Sequence, residues 1–136
     1  IATIRSMLDR ERNVRLVASD PALTAELLLL FRVILADGNV RGEELAMFKR
    51  ICADAFGLDP EAMDGVYQYL HDYAYETSDA QSSAVFLEMS LDRRKALLDH
   101  MIAIAESDHF VDDKELRLIE RTADMLGFDL RETRGG

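Results

Sequence analysis

Two short stretches carry the residue types with the clearest chemical potential. The first is Asp37-Gly38-Asn39-Val40-Arg41-Gly42-Glu43-Glu44 and the second is Asp108-His109-Phe110-Val111-Asp112-Asp113-Lys114-Glu115. Both place an aspartate seven residues before a glutamate with a valine between them, giving the carboxylate pairs Asp37/Glu44 and Asp108/Glu115. Paired carboxylates beside a tight turn suit a hard divalent cation such as calcium, magnesium or manganese, if backbone carbonyls and water complete an oxygen shell. A second reading uses the same residues structurally. Glu44 and Glu115 would cap exposed N–H groups at a helix start, the two aspartates would bond to the loop backbone, and Val40 and Val111 would plug the turns into the core.

The first stretch fits only the second half of an EF-hand calcium loop. Positions 1 and 3 of such a loop would be Val33 and Leu35, which offer no side-chain oxygen, and the second copy has His109 where the loop needs glycine. A standard EF-hand is excluded. His71, His100 and His109 lack a helical zinc spacing, so zinc is the weaker candidate, and His109 reads as an exposed loop residue. Cys52 lies in the apolar pattern Phe48, Ile51, Cys52, Ala55 and reads as a small buried side chain in a reducing compartment. No phosphate loop, G-x-S-x-G turn or Cys–His pair is present, and this gives no support for an enzyme; a metal-dependent hydrolase is the last of the readings. No cofactor is implied with certainty, and a divalent cation is the one candidate.

The elements that must position these pairs are helices. Apolar residues recur at three- and four-residue spacing with no alternating β-branched runs. The spacing predicts helices over about 2–18, 21–36, 42–56, 60–75, 80–89, 91–107 and 112–126, with a stub after 129. Asp20-Pro21 and Asp59-Pro60 each supply an N-cap followed by a first-turn proline. Asp112/Glu115 and Asp129/Glu132 have capping-box spacing, and Gly38, Gly57 and Gly127 stand where helices end. The expected fold is all-α, with about seven to eight helices in a single domain over 1–136.

An internal repeat organises the chain. Residues 27–45 align with 98–116 at a constant offset, pairing Leu27 with Leu98, Leu30 with Met101, Phe31 with Ile102, Asp37 with Asp108, Glu44 with Glu115 and Phe48 with Ile119. Repeat 1 covers about 21–59 and repeat 2 about 91–129. Two helix-turn-helix repeats with one apolar face each would pack together about a pseudo-two-fold axis and bring the loops into related positions.

Charge narrows the partners. The net charge of −10 argues against nucleic acid, and between Ile51 and Asp92 there is no Lys or Arg at all. That acidic zone reads first as solvated surface, and Tyr67, Tyr69, Tyr73 and Tyr75 first as amphipathic core-edge residues; both are also the surfaces a protein partner could use. The longest apolar run, Leu27 to Phe31, is far too short to span a bilayer, so neither a membrane span nor a signal peptide is expected and the reading is cytoplasmic. The chain starts at Ile1 without a methionine and reads as a fragment.

Ala36-Asp37-Gly38-Asn39-Val40 with Glu43-Glu44, then Glu106 to Glu115 and Met125-Leu126-Gly127-Phe128, resemble the TerB family, which includes the tellurite-resistance protein B and the N-terminal domain of the DjlA co-chaperones. The resemblance covers about residues 20 to 130. It implies an all-helical fold with two helix-turn-helix halves, a non-catalytic accessory role in tellurite or general stress responses, and loop acidic residues suggested to bind metal. Carried over, those residues are Asp37, Glu44, Asp108 and Glu115. The second loop departs from the family pattern at Ser107 and His109.

Overall fold

The computed structural model describes residues 2–36, 38, 40–76, 84–108 and 111–130. Among these it is all-helical: α1 (Ala2–Ala18), α2 (Pro21–Leu35), α3 (Gly42–Phe56), α4 (Asp64–Glu76), a short α5 over 84–87, α6 (Leu91–Glu106) and α7 (Asp113–Leu126). The fold class expected from the sequence is therefore observed. Tyr75, the Asp37 and His109 positions, the start of the expected helix over 80–89 and the Asp129/Glu132 pairing lie wholly or partly outside what is described.

Local signals start α2 and α7 and stop α3 and α7 as expected, whereas α2 is capped at Ala36 rather than at Gly38. Asp20 Oδ1 accepts from the Ala22 and Leu23 N–H groups at 3.1 and 3.2 Å, and Pro21 opens α2. Asp112 and Glu115 form a complete capping box on α7. Gly57 and Gly127 end α3 and α7 at φ of +69° and +90°, a region side-chain-bearing residues avoid.

The Asp59-Pro60 signal is overturned. It opens a turn rather than a helix, and α4 starts only at Asp64. The cause is remote in sequence. Asn13 of α1 is buried, and its Nδ2 donates to the carbonyls of Asp59 and Ala62 at 2.9 and 2.8 Å while its Oδ1 accepts from the Asp59 N–H at 3.0 Å. With two carbonyls and one N–H committed to this side chain, the chain is held in a turn. Asp59 Oδ1 instead accepts from the Glu61 N–H at 2.9 Å.

α2 is the central element. It packs on α1, α3, α4, α6 and α7, and buries Leu27, Leu30, Val33 and Ile34 completely. Each such side chain contributes about 1.5–3 kcal/mol relative to leaving it in water. Around it, Phe31, Phe48 and Tyr67 form a ring cluster with centroids 5.5 to 6.1 Å apart, so Tyr67 belongs to the core edge rather than to an outward aromatic surface. Cys52 is buried as expected, and burial pushes its thiol up to about 12, which leaves it protonated and unreactive.

α1 lies along α4 at close range. A Cβ on Gly65 would stand 2.7 Å from Val14 Cγ2 and 3.1 Å from Arg10 Cγ. Val14 is β-branched and cannot swing away freely. Gly65→Ala is expected to lower stability by about 1–2 kcal/mol by forcing the two helices apart, which urea unfolding would measure directly.

Candidate functional site

The loops that carry the acidic pairs follow α2 and α6. They touch: the Arg41 guanidinium of the first loop sits 3.2 Å from Asp108 Oδ2 of the second, with the Asp108 side chain only 7% exposed. Arg41 is also the residue before α3, and its side chain makes no capping bond. Sequence reading missed this cross-loop ion pair because nothing local connects residues so far apart.

Positions matched by the repeat share their burial. Leu27 and Leu98, Leu30 and Met101, and Phe48 and Ile119 are all core residues. The two glutamates follow the same rule, with Glu44 at 0% and Glu115 at 1% exposure. The valines do not. Val40 is 57% exposed and does not plug its turn, whereas Val111 is half-buried against the core. The first loop reaches its partner through Arg41 rather than through an apolar plug.

The chemistry available at the loops is that of carboxyl oxygens. Glu115 Oε1 accepts from the Asp112 N–H at 3.3 Å, and its Oε2 is buried with no hydrogen-bond partner among the described residues. A buried acceptor left in that state is costly, typically about 1–3 kcal/mol. The carboxylate set is of the oxygen type that hard cations take, with Glu44, Asp108 and Glu115 as the described members and Asp37 outside the described residues. It does not yet amount to a complete shell, since no group of three His, Cys, Asp or Glu side chains among the described residues converges to hold a metal ion. Arg41 already supplies one positive charge to Asp108.

The other sequence candidates separate from this site. His71 is exposed beside Asp72. His100 stands edge-on to the Phe56 ring at 5.9 Å, and burial lowers its pKa below the ordinary 6.5. Tyr69 and Tyr73 pair with each other at 6.0 Å on the partly exposed side of α4. No described helix is long and apolar enough to cross a membrane.

Two of the buried polar groups outside the loops bond to residues far away in sequence, and neither was foreseen. Asn13 is described above. The other is Glu26 of α2, which accepts from Arg93 Nε of α6 at 2.8 Å and forms an ion pair with the same guanidinium. A charged residue midway along an otherwise apolar helix was the available signal for it.

Comparison with known proteins gives this arrangement a family. None of the curated proteins matches the chain. A protein of unknown function from Porphyromonas gingivalis W83, known as a crystal structure, is similar in fold, with a TM-score of 0.60, 24% identity and coverage of 85% of this chain and 86% of that one. The family model for tellurite resistance protein TerB matches residues 22–135, which takes in both loops and every helix but α1. The chain belongs to the TerB family.

Proposed function

We infer that this TerB-family domain is a non-catalytic accessory module whose loop carboxylates, Asp37 and Glu44 in the first loop and Asp108 and Glu115 in the second, bind a divalent cation, calcium, magnesium or manganese in preference to zinc. The setting is a cytoplasmic stress or tellurite-resistance response, with a protein partner at the acidic zone or the Tyr69/Tyr73 edge. The observation that carries the reading is Glu115 Oε2 in the first turn of α7, a buried carboxyl oxygen with no hydrogen-bond partner among the described residues, seven residues from Asp108, whose loop is joined to its counterpart. Buried carboxyl groups are otherwise paired with cations, and an ion is the partner whose chemistry suits this donor set.

A second reading rests on the capping box and the Arg41–Asp108 pair, which give the second loop's carboxylates structural duties. On that reading the module works purely by protein–protein contact. Thermal unfolding of EDTA-stripped protein separates the two. An ion at about 100 times its Kd adds about 2.7 kcal/mol by mass action. For a domain of this size that is a rise of roughly 5–10 °C in Tm. Wild type is expected to show the rise with one of calcium, magnesium or manganese, and the Asp37→Asn/Asp108→Asn variant to show none. A wild-type midpoint indifferent to every ion would leave the structural reading standing.

A further inference from the structure

We propose that the cleft between α2 and α7 is a binding site for a compact phosphate-bearing anion. The cleft is open to solvent, spans about 600 Å³ and is lined by Arg32 and the exposed Lys114, Arg117 and Arg121, with Glu120 as its one acidic residue. That volume lies in the range of small-molecule sites, roughly 300–1,000 Å³. Lys114, Arg117 and Arg121 stand at i, i+3 and i+7, so they share one face of α7, and Arg32 comes from the last turn of α2.

The concentration of positive charge runs against the rest of the molecule. The lining sums to +3 in a chain of −10, so subtracting the cleft leaves −13 for everything else. Among the described residues some arginines are held in ion pairs, Arg41 with Asp108, Arg93 with Glu26 and Arg50 with Asp54, while Arg5, Arg10 and Arg12 of α1 are not. Among the described residues Lys114, Arg117 and Arg121 make no such ion pair, although Asp113, Glu120 and Asp124 lie on the same helix. Like charges gathered on one face repel each other, and a bound anion removes that cost.

The chemistry selects the class of anion. Two arginine forks and a lysine suit phosphate oxygens, which accept bidentate hydrogen bonds from guanidinium and a point charge from ammonium. Lys114, Arg117 and Arg121 together, with Glu120 beside them, favour more than one negative charge. The acidic remainder of the surface selects against a long polyanion, which would run out of the cleft into repulsion, and weighs less on a compact ligand held close to the basic side chains. The phosphate could be free or the headgroup of a lipid, and the oxygen chemistry is the same for both.

The test uses the whole chain in phosphate-free buffer at low salt, with calorimetric titration of inorganic phosphate and pyrophosphate. Three proteins are compared: wild type, Arg117→Gln/Arg121→Gln, and Arg5→Gln/Arg12→Gln, which removes the same charge from exposed positions on α1. Saturable pyrophosphate binding is expected for wild type and the α1 variant, and binding weaker by about tenfold or more for the cleft variant. Vesicles of phosphatidylcholine containing phosphatidate supply a further arm. Vesicle binding that pyrophosphate displaces and the cleft variant loses assigns the phosphate to a lipid headgroup, and pyrophosphate binding without vesicle binding assigns it to a soluble ligand. The proposal is overturned by absence of saturable binding to any of these probes, by equal losses in both variants, or by a polyglutamate peptide that binds the cleft more tightly than pyrophosphate.

Discussion

Arg93→Ala is expected to destabilise the domain by about 3 kcal/mol at neutral pH, the lower end of the cost of breaking a buried ion pair because the guanidinium itself is part-exposed. The substitution strands Glu26, whose side chain is 3% exposed, between α2 and α6. The effect carries a pH signature. Burial raises the Glu26 pKa above its ordinary 4.5, and the hydrogen bond and charge of Arg93 work to lower it. A carboxyl raised on folding binds its proton more tightly in the native state. Its favourable contribution is therefore complete below 4.5 and is lost as pH rises through the folded value. Without Arg93 the folded value moves further up, so the gap between variant and wild type is expected to narrow steadily as pH falls toward 4.5. Urea midpoints of the two proteins measured from neutral pH to that value check it. A gap that stays constant with pH would show that the loss comes from packing and not from the stranded carboxyl.

Asn13→Ala is expected to cost about 2–4 kcal/mol, because it strips partners from the carbonyls of Asp59 and Ala62 and from the Asp59 N–H in a part-buried turn. Asn13→Asp is expected to be no better, since its oxygens would face two carbonyls in place of the amide donor. The turn over 59–63 is what sets α4 against α1, so both variants should also loosen amide-exchange protection in α1 and α4 ahead of α2 and α6. Hydrogen exchange followed by mass spectrometry reads that order. Uniform loss of protection across all helices would place Asn13 in the global core instead.

Both predictions concern groups that sequence reading passed over, and the reason is physical. Signals that act within a few residues were legible: Asp20 before Pro21, the Asp112/Glu115 box, and Gly57 and Gly127 at helix ends are all used as local chemistry dictates. Core membership followed too, because three- and four-residue spacing exposes one helix face to water and hides the other, and it placed Cys52 inside. Failures came where a distant residue decided the outcome. Asp59-Pro60 has the form of a helix start, but Asn13, 46 residues earlier, holds it as a turn. Glu26 finds Arg93 at a separation of 67 residues, which no periodicity encodes. At the loops, the carboxylates and their spacing were legible, whereas the Arg41–Asp108 contact and the exposure of Val40 follow from how the helix pairs meet.

The loop carboxylates are tested most directly by titration calorimetry of metal-stripped protein with calcium, magnesium and manganese, comparing wild type with Glu115→Gln. The glutamine keeps an oxygen to accept from the Asp112 N–H, so the capping box survives, and it removes the charge that would hold an ion. Saturable binding of one of these ions by wild type, abolished in the variant while its metal-free unfolding curve stays unchanged, is the result expected if these carboxylates form a cation site. Wild type that takes up none of the three ions would contradict it and leave Glu44, Asp108 and Glu115 as structural groups alone.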